Sequence, residues 1–133
     1  MKGLYKYPAE KLLSKYNKEI NMTHSGVVKS GEITGVKVLN ATHEDLGDIA
    51  EVVIDKLSGK VNYLVLDFGG FLGFGNKFFA VPWNRFHYDK NEDCFILDVD
   101  KQRLQDAPGF DKDHWPDFAS PTFSSSINQY YNS

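Results

Sequence analysis

Four histidines (His24, His43, His87 and His114), a single cysteine (Cys94) and 18 Asp and Glu residues are the groups from which a metal site, a general base or an activated nucleophile would be built in this 133-residue chain. The run His43-Glu44-Asp45 is the most compact of them. A metal site needs three or four ligands converging on one point, and adjacent side chains diverge, so this run reads as a solvated turn. His87, inside "RFHYD", suits a strand face, and His114, before Trp115, suits packing or exposure in the tail. No Ser-His-Asp ordering or nucleophile elbow stands out. One thiol forms neither an internal disulfide nor a Cys-Cys metal pair. Cys94 reads as a small buried residue of a strand, since no basic helix terminus lies beside it to stabilise a thiolate. Asp55 falls where a hairpin favours Asp, whose carboxylate accepts from the turn amides. Asp67 reads as a strand-end residue. No catalytic set assembles, so the expectation is a non-enzyme with no catalytic residues, no cofactor and no metal.

A second stretch invites chemistry. "FGGFLGFGNKFFAVPW", residues 68–83, is glycine-rich, as phosphate-binding loops are. Gly70 and Gly75 have P-loop spacing, but Asn76 occupies the lysine position and Phe78, not a hydroxyl residue, follows Lys77. Gly73 and Gly75 begin a dinucleotide fingerprint whose third glycine position is Phe78. Both motifs need a helix N-terminus to face the anion, and "KFFAVPW" is strand-like and ends at proline. The glycines, Gly69 and Gly70 among them, are explained by a sharp turn between strands. The apolar residues are then the informative ones. Phe71, Leu72 and Phe74 sit in a loop, loops lie on surfaces, and covering each such side chain is worth ~1.5–3 kcal/mol. Exposed apolar patches mark interaction sites. Phe71, Leu72, Phe74 and the tail residue Trp115 are therefore the candidate partner-binding residues.

The elements that would position these groups follow from periodicity and turn signals. "PAEKLLSKYNKEI" spaces apolar residues helically behind Pro8, predicting an amphipathic helix over residues 8–20. Residues 1–30 hold six lysines against two glutamates, so the net charge of −3 is concentrated in the rest of the chain. That helix could dock on the domain, on a partner or on an anionic membrane surface. Strands are expected at 34–40, 48–55, 60–68, 77–83, 85–89 and 94–100. Structural turns are assigned to Gly47, Asp55, Gly59, Gly69, Gly70 and a bend at Pro82, which donates no ladder hydrogen bond. Both faces of the strand at 60–68 are apolar, so neither is fully solvated. "KQRLQDAP" makes a short helix stopped by Pro108. Residues 109–133 are polar with interspersed aromatics, too aromatic for a freely disordered tail. The acidic balance argues against direct nucleic-acid binding. No apolar run reaches the ~18 residues of a membrane span, no secretory signal is seen, and the expected location is cytoplasmic.

The order of these features resembles the PRC-barrel family, named for the H subunit of the photosynthetic reaction centre. The matching residues are Gly35-x-x-Val38, Leu46-Gly47-x-Ile49, Val53-Ile54-Asp55, Gly59-x-Val61, the Gly69-Gly70-Phe71-Leu72-Gly73 loop, Ala80-Val81-Pro82-Trp83 and "LQDAPGF". The tail "WPDFASPTFSSSINQYY" is similar to that of stand-alone bacterial members. The resemblance implies a mainly β chain: a small six-stranded antiparallel β-barrel with a short N-terminal helix and an extended aromatic C-terminal tail. The expected domains are an N-terminal extension at 1–25, a barrel at 26–108, and a tail at 109–133 that packs on the barrel or on a second chain. The family's known contexts are non-catalytic, which implies a protein-interaction or assembly module, in homodimeric form. The alternatives are a peripheral membrane-complex adaptor like the H-subunit cytoplasmic domain, or a factor associated with the ribosome and RNA processing.

Overall fold

The computed structural model describes residues 27–70 and 76–132. The helix expected at 8–20 and the loop residues Phe71, Leu72 and Phe74 lie outside the described residues. By internal packing the chain divides into Met1–Glu32 and Ile33–Ser133. In the first unit, the Lys29 backbone N–H donates to Glu32 Oε1 (3.1 Å) and Glu32 N–H donates to the Lys29 carbonyl (2.9 Å), so a side chain closes the start of the turn α1 (Ser30–Ile33).

The second unit carries one six-stranded sheet: β1 (Lys37–Leu39), β2 (Asp45–Ile54), β3 (Val61–Gly70), β4 (Asn76–Pro82), β5 (Phe86–Asp89) and β6 (Cys94–Leu97), in the order β4-β3-β2-β1-β6-β5. Four of the strand pairs are antiparallel, but β1 and β6 run parallel, with Val38 opposite Phe95. The sheet is therefore mixed, not antiparallel throughout. The reason lies between β4 and β5. A hairpin there would have reversed the chain. Instead Pro82 (φ −56°, ψ 139°) leads into a single 3-10 turn, Trp83–Arg85, which makes a corner and leaves the sense of the chain unreversed. Those three residues join the two edge strands of the sheet. Three residues span only about 10 Å, so the sheet must curl until its edges approach. The result is a half-barrel, in which β4 and β5 share no ladder among the described residues.

Local chemistry explains the turns. Between β1 and β2 the turn occupies Asn40–Glu44 and is shorter than the expected 41–47. Buried Asn40 organises it: its Oδ1 accepts from Thr42 N–H (3.1 Å) and Glu44 N–H (2.8 Å), and its amide donates to Glu44 Oε1 (2.7 Å). Gly47, expected to close that turn, instead lies within β2, opposite Val38 at an irregularity in the β1–β2 register. The β2–β3 hairpin turns at Asp55–Gly59, where Asp55 Oδ1 accepts from Leu57 N–H (2.8 Å) and Ser58 N–H (3.0 Å), and Gly59 has φ +77°. Gly69 and Gly70 are the last residues of β3, and the ladder is irregular between Asp67 and Gly70. Asp67 secures this end, accepting from Gly69 N–H (2.8 Å) and from the Asn76 amide (3.0 Å) at the start of β4.

Inside the half-barrel, Val38, Leu46, Ile49, Leu64, Leu66, Phe79, Val81 and Leu97 are almost wholly buried. They are joined by Leu104 of α2 (Lys101–Gln105), which Asp100 caps by accepting from Arg103 N–H (2.8 Å). The tail is extended only in part. Residues 109–120 run irregularly, and Phe110 forms a two-way backbone bridge with Phe78 of β4 (2.8 and 2.9 Å). Residues Pro121–Tyr131 then form helix α3. Ser120 caps it through Phe123 N–H (3.2 Å), and Pro121 takes the first turn, where its missing N–H is no loss. Phe123, Ile127, Tyr130 and Tyr131 follow at helical spacing, and Ile127 and Tyr131 enter the core.

Candidate partner-contact surface

The side chains that could have done chemistry are placed by this fold, and seven of the aspartates accept from nearby backbone amides. Besides Asp55, Asp67 and Asp100, the carboxylates of Asp45, Asp89, Asp111 and Asp117 each accept from a backbone N–H two residues onward. Such turns use Asp because its short side chain reaches amides that have no ladder partner. Asp45 and Asp48 also flank Lys37 at 3.1 and 3.0 Å. Burial by itself would lower the Lys37 pKa, but the hydrogen bonds to Asp48 and Asp45 outweigh it and hold it above its ordinary value. His43 sits in the Asn40–Glu44 turn at φ +66°, and its N–H donates to the Asn40 carbonyl (2.9 Å). No group of three or more His, Cys, Asp and Glu placed to hold a metal ion is found among the described residues. Cys94 is buried at the start of β6. Desolvation, then the nearby Asp89, Glu92 and Asp93, raise its pKa, so it stays a thiol.

Among the described residues, His114 is the one histidine in an ion pair with a carboxylate, its Nδ1 standing 2.7 Å from Asp111 Oδ1. The hydrogen bond and then the charge of Asp111 raise the His114 pKa. The stabilisation this pair contributes is fully present below the unfolded value near 6.5 and is lost as pH rises through the higher folded value. An NMR titration should find His114 titrating above the ordinary imidazole value near 6.5, and Asp111→Asn should bring it back down. Equal midpoints in the two proteins would show that the pair does not form.

Large apolar side chains carry the rest of the surface. The outer face of β3 and β4 presents Tyr63, Val65, Phe78 and Ala80, all buried. The tail is what covers it. Phe118 and Phe123 meet Tyr63 with ring centroids 6.1 and 5.9 Å away, and Phe110 and Trp115 meet Phe78 at 5.9 and 5.4 Å. Trp115 lies 4.9 Å from Phe110 and remains 42% exposed. Of the residues singled out from sequence, Trp115 thus belongs to an intramolecular aromatic cover that is still half open.

A second aromatic group stands at the corner and the β5–β6 hairpin. Phe95 is buried, and around it lie Trp83 (6.1 Å), Phe86 (6.0 Å) and Tyr88 (5.5 Å), all edge-on. Trp83 is 40% and Tyr88 48% exposed. Phe86 and Tyr88 share a strand face, and Tyr88 is directly opposite Phe95 in the ladder. The Tyr88 hydroxyl bonds Asp93, and partial burial followed by that bond raises its pKa, so it remains a neutral phenol. Sequence reasoning passed over this group. The signal was present in "WNRFHYD", where aromatics recur at alternate positions after the proline corner.

Six strands, a parallel β1–β6 contact and a proline-led corner that curls the sheet describe one architecture. A family model of the PRC-barrel domain matches residues 26–104, the stretch that holds all six strands. The chain belongs to the PRC-barrel family. Among solved structures, this PRC barrel is similar to RimM of Pseudomonas aeruginosa, whose name describes a 16S ribosomal RNA processing protein. The identity is 15% and the TM-score 0.40, over 60% of this chain and 48% of that chain. This PRC-barrel chain therefore spans about half the length of that protein. No curated protein matches it. The matched stretch ends within α2, so the aromatic cover from Phe110 onward lies beyond the part of this PRC barrel that the family model describes. No helix among the described residues is long and apolar enough to cross a membrane.

Proposed function

We propose that this PRC-barrel protein is a non-catalytic interaction and assembly module that forms a homodimer. The observation that carries the reading is the pair Trp83 and Tyr88, which stay 40% and 48% exposed on buried Phe95 while the tail covers the neighbouring aromatic face. Tyr and Trp are the residues most often found at the energetic centre of protein interfaces. The commitment of seven aspartates to nearby backbone amides supports the non-catalytic part. Phe71, Leu72 and Phe74 belong to the same proposal as a second contact.

Sedimentation equilibrium tests this. The wild type is expected to dimerise at micromolar concentration, and Trp83→Ala or Phe71→Asp to weaken the dimer tenfold or more while leaving the fold intact. A wild type that stays monomeric at high concentration removes the homodimer. A second reading, a factor bound to a basic protein such as those of the ribosome, draws on the acidic residues Asp89, Glu92 and Asp93 beside the aromatic group. Co-migration with ribosomal subunits, abolished by Trp83→Ala, would favour it over self-association.

A further inference from the structure

A cleft of about 390 Å³ opens where the corner after β4, the end of β6 and the two helices α2 and α3 meet. It is lined by Arg85 of the corner, Arg103 of α2 and Tyr131 of α3, with Leu97 and Val99 as apolar wall. Two of these residues bring buried polar atoms that have no hydrogen-bond partner among the described residues: Arg85 Nε and the Tyr131 hydroxyl. Tyr131 is only 3% exposed. Buried polar groups are satisfied in the large majority of cases, so two orphans carried by residues that line one cleft, from different elements, require an explanation. Burial, and then the neighbouring Tyr130, raise the Tyr131 pKa, so its oxygen keeps its proton. The phenol O–H and the guanidinium Nε–H are then both donors, and what these two groups lack is an acceptor within reach. Arg103 adds positive charge from a fixed position, since it donates to the Tyr130 carbonyl and its guanidinium lies 4.6 Å from the Tyr130 ring centroid.

We propose that this cleft is a binding site for a small monocarboxylate. Arg85 Nε–H and the Tyr131 O–H donate to its oxygens, and Leu97 and Val99 face its apolar substituent. The charge balance selects the class. Asp98 and Asp100, both exposed, also line the cleft and offset the two arginines. A dianionic phosphate would meet those two carboxylates, whereas a planar monoanion can take the two donors at lower repulsion. The volume is within the range of small-molecule sites, roughly 300–1,000 Å³. This site is separate from the aromatic contact surface, and its test does not depend on oligomeric state.

The full chain would be titrated with acetate, propionate and inorganic phosphate at constant ionic strength, with sodium chloride as reference. The thermal midpoint and the Arg85 Nε–H resonance would be followed together. The expected result is a saturable one-to-one shift of that resonance and a rise in Tm with acetate and propionate. Phosphate should bind at least tenfold more weakly. Tyr131→Phe should fold at no loss of stability without ligand, because it removes an unpartnered hydroxyl, and should lose at least tenfold in carboxylate affinity. Arg85→Gln should do the same for affinity. Absence of any saturable shift with the carboxylates would mean that water satisfies both donors and would overturn the proposal. Phosphate binding as tightly as acetate would overturn the carboxylate assignment. A Tyr131→Phe protein that folds and binds carboxylate unchanged would do so too.

Discussion

Gly47→Ala should be among the most destabilising single-atom changes available in this protein, costing about 3 kcal/mol or more. A Cβ at residue 47 would stand 2.0 Å from the Asp67 carbonyl oxygen and 3.2 Å from the Phe68 Cα, both backbone atoms of the adjoining strand β3. Neither can swing aside as a side chain would. The φ of +124° is a second obstacle, because residues with a Cβ rarely adopt it. The two effects add, and the protein has only about 5–15 kcal/mol of stability to lose. Gly59→Ala is the control. Gly59 also has a positive φ, +77°, but a Cβ there meets nothing within 4 Å, so only conformational strain of about 1 kcal/mol applies. Urea denaturation of the two variants should place Gly47→Ala far below Gly59→Ala. Equal losses would show that β2 and β3 do not approach this closely.

The second large effect concerns the tail. Ile127→Ala should cost about 2–5 kcal/mol, as truncation of a buried aliphatic side chain does. Ile127 has no exposed surface and belongs to the same core as Phe79 and Leu104. An appendage lying loosely on a finished barrel would lose less than about 0.5 kcal/mol, the usual range for a surface change. Ser125→Ala, on the exposed side of α3, measures that baseline. Removal of residues 109–133 should be more damaging than either change, because Tyr63 and Phe78 would then face water together with the core under α3. If the truncated chain melts as the full chain does, the tail contributes nothing to the core.

This second prediction also marks where sequence reading ran short. Strand β3 is apolar on both faces, which requires two covers, and the sequence shows as much. Leu64 and Leu66 face the half-barrel interior, while Tyr63 and Val65 need something outside. A tail packing on the barrel or on a second chain was expected, but not the face that it covers. Phe110, Trp115, Phe118 and Phe123 lie 47 to 60 positions after Tyr63, and no local period connects them. The helical end of the tail was more accessible, since Ser120-Pro121 is a start signal and Phe123, Ile127 and Tyr130 keep helical spacing. Its many Ser and Asn residues have low helix propensity and obscured that signal. Gly47 was misplaced for a related reason. Glycine is common in turns, and only the close approach of β3 distinguishes a glycine needed for space from one needed for a turn.

By itself, the sequence determined the six strands, the Asp55–Gly59 hairpin and the resemblance to the PRC-barrel family. These are properties of short segments, set by alternation, turn chemistry and motif spacing. Tertiary structure alone decided three things. The Pro82 corner makes β6 run parallel to β1, because it leaves the chain unreversed where a hairpin would reverse it. The tail, and not another protein, covers the outer face of β3 and β4, because apolar surface takes whichever partner the chain brings within reach. Arg85 and Tyr131 line one cleft with their donors unpaired among the described residues, because curling of the sheet joins a corner and a C-terminal helix that no sequence pattern relates.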